Sequence, residues 1–209
     1  MMAWKNAVVS REEQKELKRE ALLREAAAAF NQHGYHATSL DDIANSLGVT
    51  KAALYYYYPN KQKLLAACLE RLMETSFKGL SRAMAEGQNG REKIKLALEY
   101  YLLSLIDEMS CCVIVTEDDA LLPEDHKEHI KVRDRYEQAL RDLVREGIAD
   151  GSIVPCDPKL VTLTFLGSVH WVPKWFSHDR QWSGKELAAM MSALLDRALS
   201  TAPVKSLLG

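Results

Sequence analysis

Residues 37–61 read ATSLDDIANSLGVTKAALYYYYPNK, and their punctuation can be taken one position at a time. Ser39 is a good helix N-cap, and Asp42, three positions on, completes an acidic variant of the capping box. Asp41 and Asp42 also suit the positive end of a helix dipole, so a helix is expected to start at about Leu40. It should end at Gly48, after which Thr50 caps a second helix over about 51–58, with Val49 and Leu54 at the spacing of a hydrophobic staple. The expected arrangement is helix, glycine turn, helix.

The second helix is too short to be stable alone and must pack through Leu54 and Tyr58, which lie four apart on one face. Lys51, Ala52, Tyr55, Tyr56 and Tyr57 are then left largely outward. Exposed aromatics beside small residues are costly unless something covers them. A DNA major groove does so, because hydroxyls meet phosphates while rings and methyls meet thymine methyls. Lys51 and Lys61 bracket the helix as candidate phosphate contacts. Packing of the tyrosines on a neighbouring helix is the bland alternative, and it leaves the caps and the turn as coincidences.

Outward from this segment the chain reads as helices throughout. A helix over 11–33 has its apolar face at Leu22, Ala26, Ala29 and Phe30 and stops at Gly34, a residue suited to a left-handed cap. A long helix is expected at 61–86, and others at about 91–109, 123–150, 158–176 and 184–201. No stretch alternates polar and apolar residues as a half-buried strand should, so the fold class is all-α. No flexible linker separates the front from the rest. The organisation expected is therefore a three-helix DNA-binding domain at 1–64 and a helical effector-binding and dimerisation domain at 65–209, joined rigidly through the 61–86 helix.

Across its 209 residues the chain carries a net charge of -2, which does not suit a histone-like binder. The front is the more basic part: residues 1–64 hold nine Lys/Arg against seven Asp/Glu, leaving 18 against 22 for the remainder. Cys68, Cys111, Cys112 and Cys156 fall in no C-x-x-C spacing, so reduced thiols are expected rather than a zinc or redox site. No apolar leader or spanning run is present, which predicts a cytoplasmic protein with no membrane partner. A phosphate loop, nucleophile elbow, paired-carboxylate set or Cys/His arrangement at recognisable spacing is also lacking, and the expectation is a non-enzyme without a cofactor.

Phe30, Gly34-Tyr35, Thr38-Ser39, Asp42-Ile43-Ala44, Leu47-Gly48-Val49, Lys51, Leu54-Tyr55-Tyr56 and Lys61 together resemble the DNA-binding domain of the TetR family. The likeness covers about residues 22–65. It implies an all-helical homodimer that binds a palindromic double-stranded DNA operator and releases it when a small-molecule effector enters the C-terminal domain. Thr38, Ser39, Thr50, Lys51, Ala52, Tyr55, Tyr56, Tyr57 and Lys61 are then the DNA-binding residues. Tyr57 departs from the family, which often has His there, and Tyr58 replaces the usual Phe, which is tolerable in a core if its hydroxyl finds a partner. A transcriptional activator, or a DNA-binding factor that needs no ligand, is the alternative to a repressor.

The C-terminal half is read mainly from pattern. Leu187, Met190, Met191, Leu194, Leu195, Ala198 and Leu199 form one stripe at three-and-four spacing, and the helix before it is apolar nearly all round. Such a helix needs two neighbours, its own core and a second subunit. Pro173 should kink or end that helix amid His170, Trp171, Lys174, Trp175 and Phe176. This cluster reads either as ordinary packing or as a ligand wall with Lys174 facing an anionic head group. The segment from Trp171 to Phe176, with Gly184 to Leu187 after it, resembles acyl-CoA-responsive TetR regulators, from which His170, Lys174 and Phe176 depart. The resemblance implies an acyl-CoA effector. Tyr101, Arg133 and Tyr136 join the candidate effector-binding residues, with a solvated helix face as the alternative for Arg133. Glu124, Asp125, His126, Glu128 and His129 have helical spacings able to hold a metal, but acids are expected in a first helical turn in any case, and no metal site is assigned.

Overall fold

The computed structural model describes residues 10–106, 118–176 and 181–201, with the side chains of Pro173 and Lys174 outside the description. Among these residues eight α-helices follow one another: α1 (Arg11–His33), α2 (Leu40–Ser46), α3 (Lys51–Tyr57), α4 (Lys61–Glu86), α5 (Gly90–Ile106), α6 (Pro123–Ala149), α7 (Pro158–Trp175) and α8 (Gly184–Leu199). A 3-10 turn, Asp118–Ala120, leads into α6. No strand occurs among the described residues, and Ile153 and Ser200 form an isolated bridge. None of the described helices is long and apolar enough to cross a membrane. Cys111 and Cys112, and the end expected for the 91–109 helix, lie outside the described residues.

The helix starts are set by side-chain caps. Ser39 Oγ accepts from Asp42 N at 3.1 Å while Ser39 N donates to Asp42 Oδ2 at 2.8 Å, so the acidic capping box opens α2. Hydrogen bonding to Ser39 holds the Asp42 carboxyl below its ordinary range. Thr50 caps α3, accepting from Ala53 N at 3.2 Å, and Asn60 caps α4, accepting from Lys63 N at 2.8 Å. Between α2 and α3 the chain turns at Gly48 with φ 62°, a conformation that costs glycine little. Gly34 ends α1 with φ 83° and ψ 151°, a positive-φ conformation that suits glycine but whose ψ lies outside the left-handed helical cap expected. Val49, expected to pair with Leu54 as a staple, is 40% exposed, and Leu47 is partly buried against the N-terminal core.

The apolar core divides inside α4. Leu64, Leu65 and Leu69 pack with Phe30, Ile43, Leu54 and Tyr58, whereas Leu72, Met73, Leu80 and Ala83 pack with Leu98, Leu102, Leu140 and Val169. Leu121, just before α6, belongs to the first cluster although most of α6 belongs to the second. Among the described residues, two connections therefore cross from one core to the other, α4 itself and the start of α6. Pro173 does not stop α7, which continues to Trp175 and closes with Phe176 N donating to Val172 O at 2.8 Å. A proline this near a C-terminus removes one bond of the ladder while the last turn still closes around it.

Candidate nucleic-acid interface and ligand cavity

On α3 the helical period sorts the residues into two faces. Leu54 is fully buried and Tyr58 is 5% exposed, while Tyr55 and Tyr56 stand 48% and 75% exposed. Lys51, Ala52 and Thr50 are exposed beside them. Tyr57 departs from the expected outward set: it is half-buried against the N-terminal core, with its ring 5.2 Å from that of Tyr56, edge to face. Three residues from Leu54 and next to Tyr58, it cannot avoid the inner face. The Tyr58 hydroxyl accepts from Arg19 Nε at 3.1 Å, which is the partner that a phenol in place of phenylalanine requires.

Two residues expected at the interface turn inward. Thr38 is 3% exposed, and its hydroxyl donates to Gly34 O at 2.9 Å and Ala29 O at 3.2 Å. Lys61 Nζ donates to Tyr35 O at 2.8 Å and Thr38 O at 2.9 Å and lies 4.2 Å from the centre of the Tyr35 ring. Lys61 therefore clamps the start of α4 to the link between α1 and α2, and Thr38 ties that link back to the end of α1, because those carbonyls are left over at a helix end and a loop. Lys51 is ion-paired with Asp41, which raises the ammonium's pKa. Ser39, Tyr55 and Lys61 do meet, with His36, along one open groove of about 430 Å³.

In the C-terminal half, three of the expected effector residues converge. Tyr101 Oη lies 2.7 Å from His170 Nε2, and the Tyr101 ring lies 5.2 Å from that of Tyr136. Burial, aided by the charge of Arg133, pushes His170 down to about 4, so its imidazole is neutral at physiological pH. Arg133 is exposed and reaches towards Asp118 at 3.4 Å, and Trp175 is half-buried against the C-terminal core. Trp171 does not join them. It stands 65% exposed, because the inward positions of α7 are Thr162, Phe165, Val169 and Val172. The Lys174 side chain lies outside the described residues.

A cavity of about 520 Å³ lies elsewhere, between α4 and α6. Its apolar lining is Ala66, Leu69, Met73, Phe77, Leu121 and Val132, and its polar lining is Glu70, Glu74, Asp125, Glu128, His129 and Arg135. Burial holds His129 below the ordinary imidazole range. At its DNA-domain end, Lys63 Nζ lies 2.8 Å from Asp125. Leu69, Met73 and Phe77 recur every four residues, a stripe that could have marked this wall from the sequence. Phe77 also packs edge-on against Tyr136, with centroids 5.3 Å apart, so cavity and tyrosine cluster adjoin.

Residues 22–68 match the model of the bacterial regulatory proteins of the tetR family, and residues 87–199 match that of the tetracyclin repressor-like C-terminal domain. The HTH-type transcriptional repressor KstR2 of Mycolicibacterium smegmatis is 24% identical over 182 residues, 85% of this chain and 88% of that protein. The crystal structure of the TetR-family regulator PfmR from Thermus thermophilus is similar with a TM-score of 0.77 and 28% identity, covering 86% of this chain and 98% of that one. That of AibR in complex with isovaleryl coenzyme A and operator DNA is similar with a TM-score of 0.73 and 28% identity, covering 83% and 95%.

Proposed function

Because this chain belongs to the tetR family of bacterial regulatory proteins, a family of DNA-binding transcription regulators and not of enzymes, we propose that it is a homodimeric repressor released from a palindromic operator by a small-molecule effector. The observation that carries the DNA-binding part is the outer face of α3. Lys51, Ala52, Tyr55 and Tyr56 stand together on a helix anchored from behind by Leu54 and Tyr58. Tyr56 offers base-edge contact and Lys51 a phosphate contact, for which the phosphate must compete with Asp41.

Dimerisation is supported by the apolar surface of the last two helices. Leu160, Leu163 and Trp171 on α7 and Met190 and Leu194 on α8 are exposed by 66, 45, 65, 40 and 67%. A patch of this kind marks an interface. Two-fold pairing across it presents two α3 helices to successive major grooves, hence a pseudo-palindrome with half-sites about 10 bp apart or a multiple of that.

For the effector we propose an acyl-CoA. KstR2 is a repressor, AibR was crystallised with isovaleryl coenzyme A on operator DNA, and the cavity of this chain has the size of a small-molecule site. The effector must bind the DNA-incompetent arrangement more tightly, since equal affinity for both shifts nothing. A ligand between α4 and α6 presses on the two elements that join the cores. Displacement of α4 changes the separation of the two recognition helices and spoils their register with the grooves. The experiment is selection and sequencing of DNA bound by the purified protein, followed by titration of acyl-CoAs against the selected complex. Recovery of a pseudo-palindrome from which an acyl-CoA displaces the protein supports the reading. An acyl-CoA that tightens the complex would instead identify a ligand-activated binder.

A further inference from the structure

Tyr136 is 3% exposed, and its hydroxyl has no hydrogen-bond partner among the described residues. A buried phenol normally has one, so an unpaired donor at this depth points to a partner supplied in another state of the protein. Its ring packs against Phe77, which lines the cavity between α4 and α6, so Tyr136 stands one side chain behind the cavity wall. On its far side the Tyr101 ring and the neutral His170 close the cluster.

The charges around this path select what can enter. The cavity lining holds four carboxylates, Glu70, Glu74, Asp125 and Glu128, against the single guanidinium of Arg135, and His129 is held in its neutral range by burial. Arg71, Lys63 and Lys131 pair with Glu74, Asp125 and Glu128 in turn, whereas Glu70 has no ion-pair partner among the described residues. An entering carboxylate would face the unpaired charge of Glu70 and would then be buried at Tyr136, where the Arg135 guanidinium reaches only the Phe77 ring, 5.7 Å from its centre. A neutral carbonyl meets neither obstacle, and its oxygen accepts what Tyr136 has to give.

Resting on the effector-released reading above, we infer that the cavity takes an apolar acyl chain carrying an uncharged carbonyl, a thioester rather than a free acid, with Tyr136 Oη donating to that carbonyl once the Phe77 ring turns aside. Recognition then resides in the acyl and carbonyl groups. The carrier beyond the sulfur stays outside, so a neutral carrier serves at least as well as coenzyme A.

The test is calorimetric binding to the DNA-free protein of acyl-CoAs of four to twelve carbons, the matching N-acetylcysteamine thioesters and the free acids, with wild type and Tyr136→Phe. Both thioester series should bind wild type, with the free acids at least about tenfold weaker. Tyr136→Phe should lose about tenfold for both thioesters while its melting temperature stays the same or rises, because the variant deletes only an unpaired buried hydroxyl. A merely structural hydroxyl would lower the melting temperature instead. Free acids binding as tightly as thioesters, thioester binding untouched by Tyr136→Phe, or no binding of either thioester series would each overturn the inference. Binding with these preferences but without release of operator DNA would overturn the repressor reading and leave the inference standing.

Discussion

Lys63 in the first turn of α4 lies 2.8 Å from Asp125 in the first turn of α6 and ties the DNA-binding core to the ligand domain next to the cavity. The pair is partly exposed, so its direct contribution to stability is small. Its leverage is positional: with Leu121 it fixes where α6 meets the N-terminal core. Lys63→Ala and Asp125→Ala should leave operator affinity nearly unchanged but reduce effector-induced release by about two- to fivefold. The exchange Lys63→Asp with Asp125→Lys should restore much of it. Anisotropy of labelled operator under effector titration reads this directly, and unaltered release in both single variants would show that the tie transmits nothing.

On α3 the roles should separate. Tyr56→Ala should lose discrimination between sequences, on the order of 1–3 kcal/mol per base contact, whereas Lys51→Ala should weaken binding to all sequences and lower the salt slope by about one. Asp41→Asn removes the internal competitor for Lys51 and should strengthen non-specific binding. Lys61→Ala should lower thermal stability together with affinity, since its ammonium holds the carbonyls of Tyr35 and Thr38. Normal stability in that variant would return Lys61 to the role of a simple phosphate contact.

The outline of this molecule was legible in its sequence because local chemistry fixes it. Ser39, Asp42, Gly48 and Thr50 act on their own backbone within four residues, and they start and stop helices as their types require. What local chemistry cannot reveal is which outward-looking side chain a distant element will claim. Lys61 was readable as a phosphate contact until the carbonyls of Tyr35 and Thr38 came within its reach, and Tyr57 as outward until the N-terminal core took it. The effector residues divide in the same way. Tyr101, Tyr136 and His170 meet, whereas Trp171 lies on the open face of a helix whose apolar residues surround it entirely, leaving period alone unable to choose a side. The cavity between α4 and α6 needed the pairing of those helices, which no motif announces.

Stability should fall in mild acid because of His170. Its folded pKa of about 4 lies below the ordinary imidazole value of 6.5, so the unfolded chain takes up a proton that the folded chain refuses. The contribution is therefore complete above pH 6.5 and is lost as pH falls from 6.5 towards about 4, with an upper bound of about 3 kcal/mol. Melting curves between pH 7.5 and about 4.5 should show wild type losing more stability than His170→Gln. Parallel loss in the two proteins would remove His170 as the cause.

The apolar face of α7 and α8 should be where two copies meet. Leu194 is 67% exposed, and Leu194→Glu places a charge there at no cost to the monomer's own core. The variant should sediment as a monomer or shift strongly towards one, and it should bind operator far more weakly than wild type. A Leu194→Glu protein that remains a dimer would move the interface elsewhere.

The central claim, that two copies of this chain read DNA through the outer face of α3, is tested most directly by footprinting the purified protein and its Tyr56→Ala variant on a selected site, with the stoichiometry measured by sedimentation of the complex. The account predicts protection of two symmetric half-sites by one dimer, and loss of both together in the variant. Protection of a single asymmetric site by a monomer, or a footprint that Tyr56→Ala leaves intact, would contradict it.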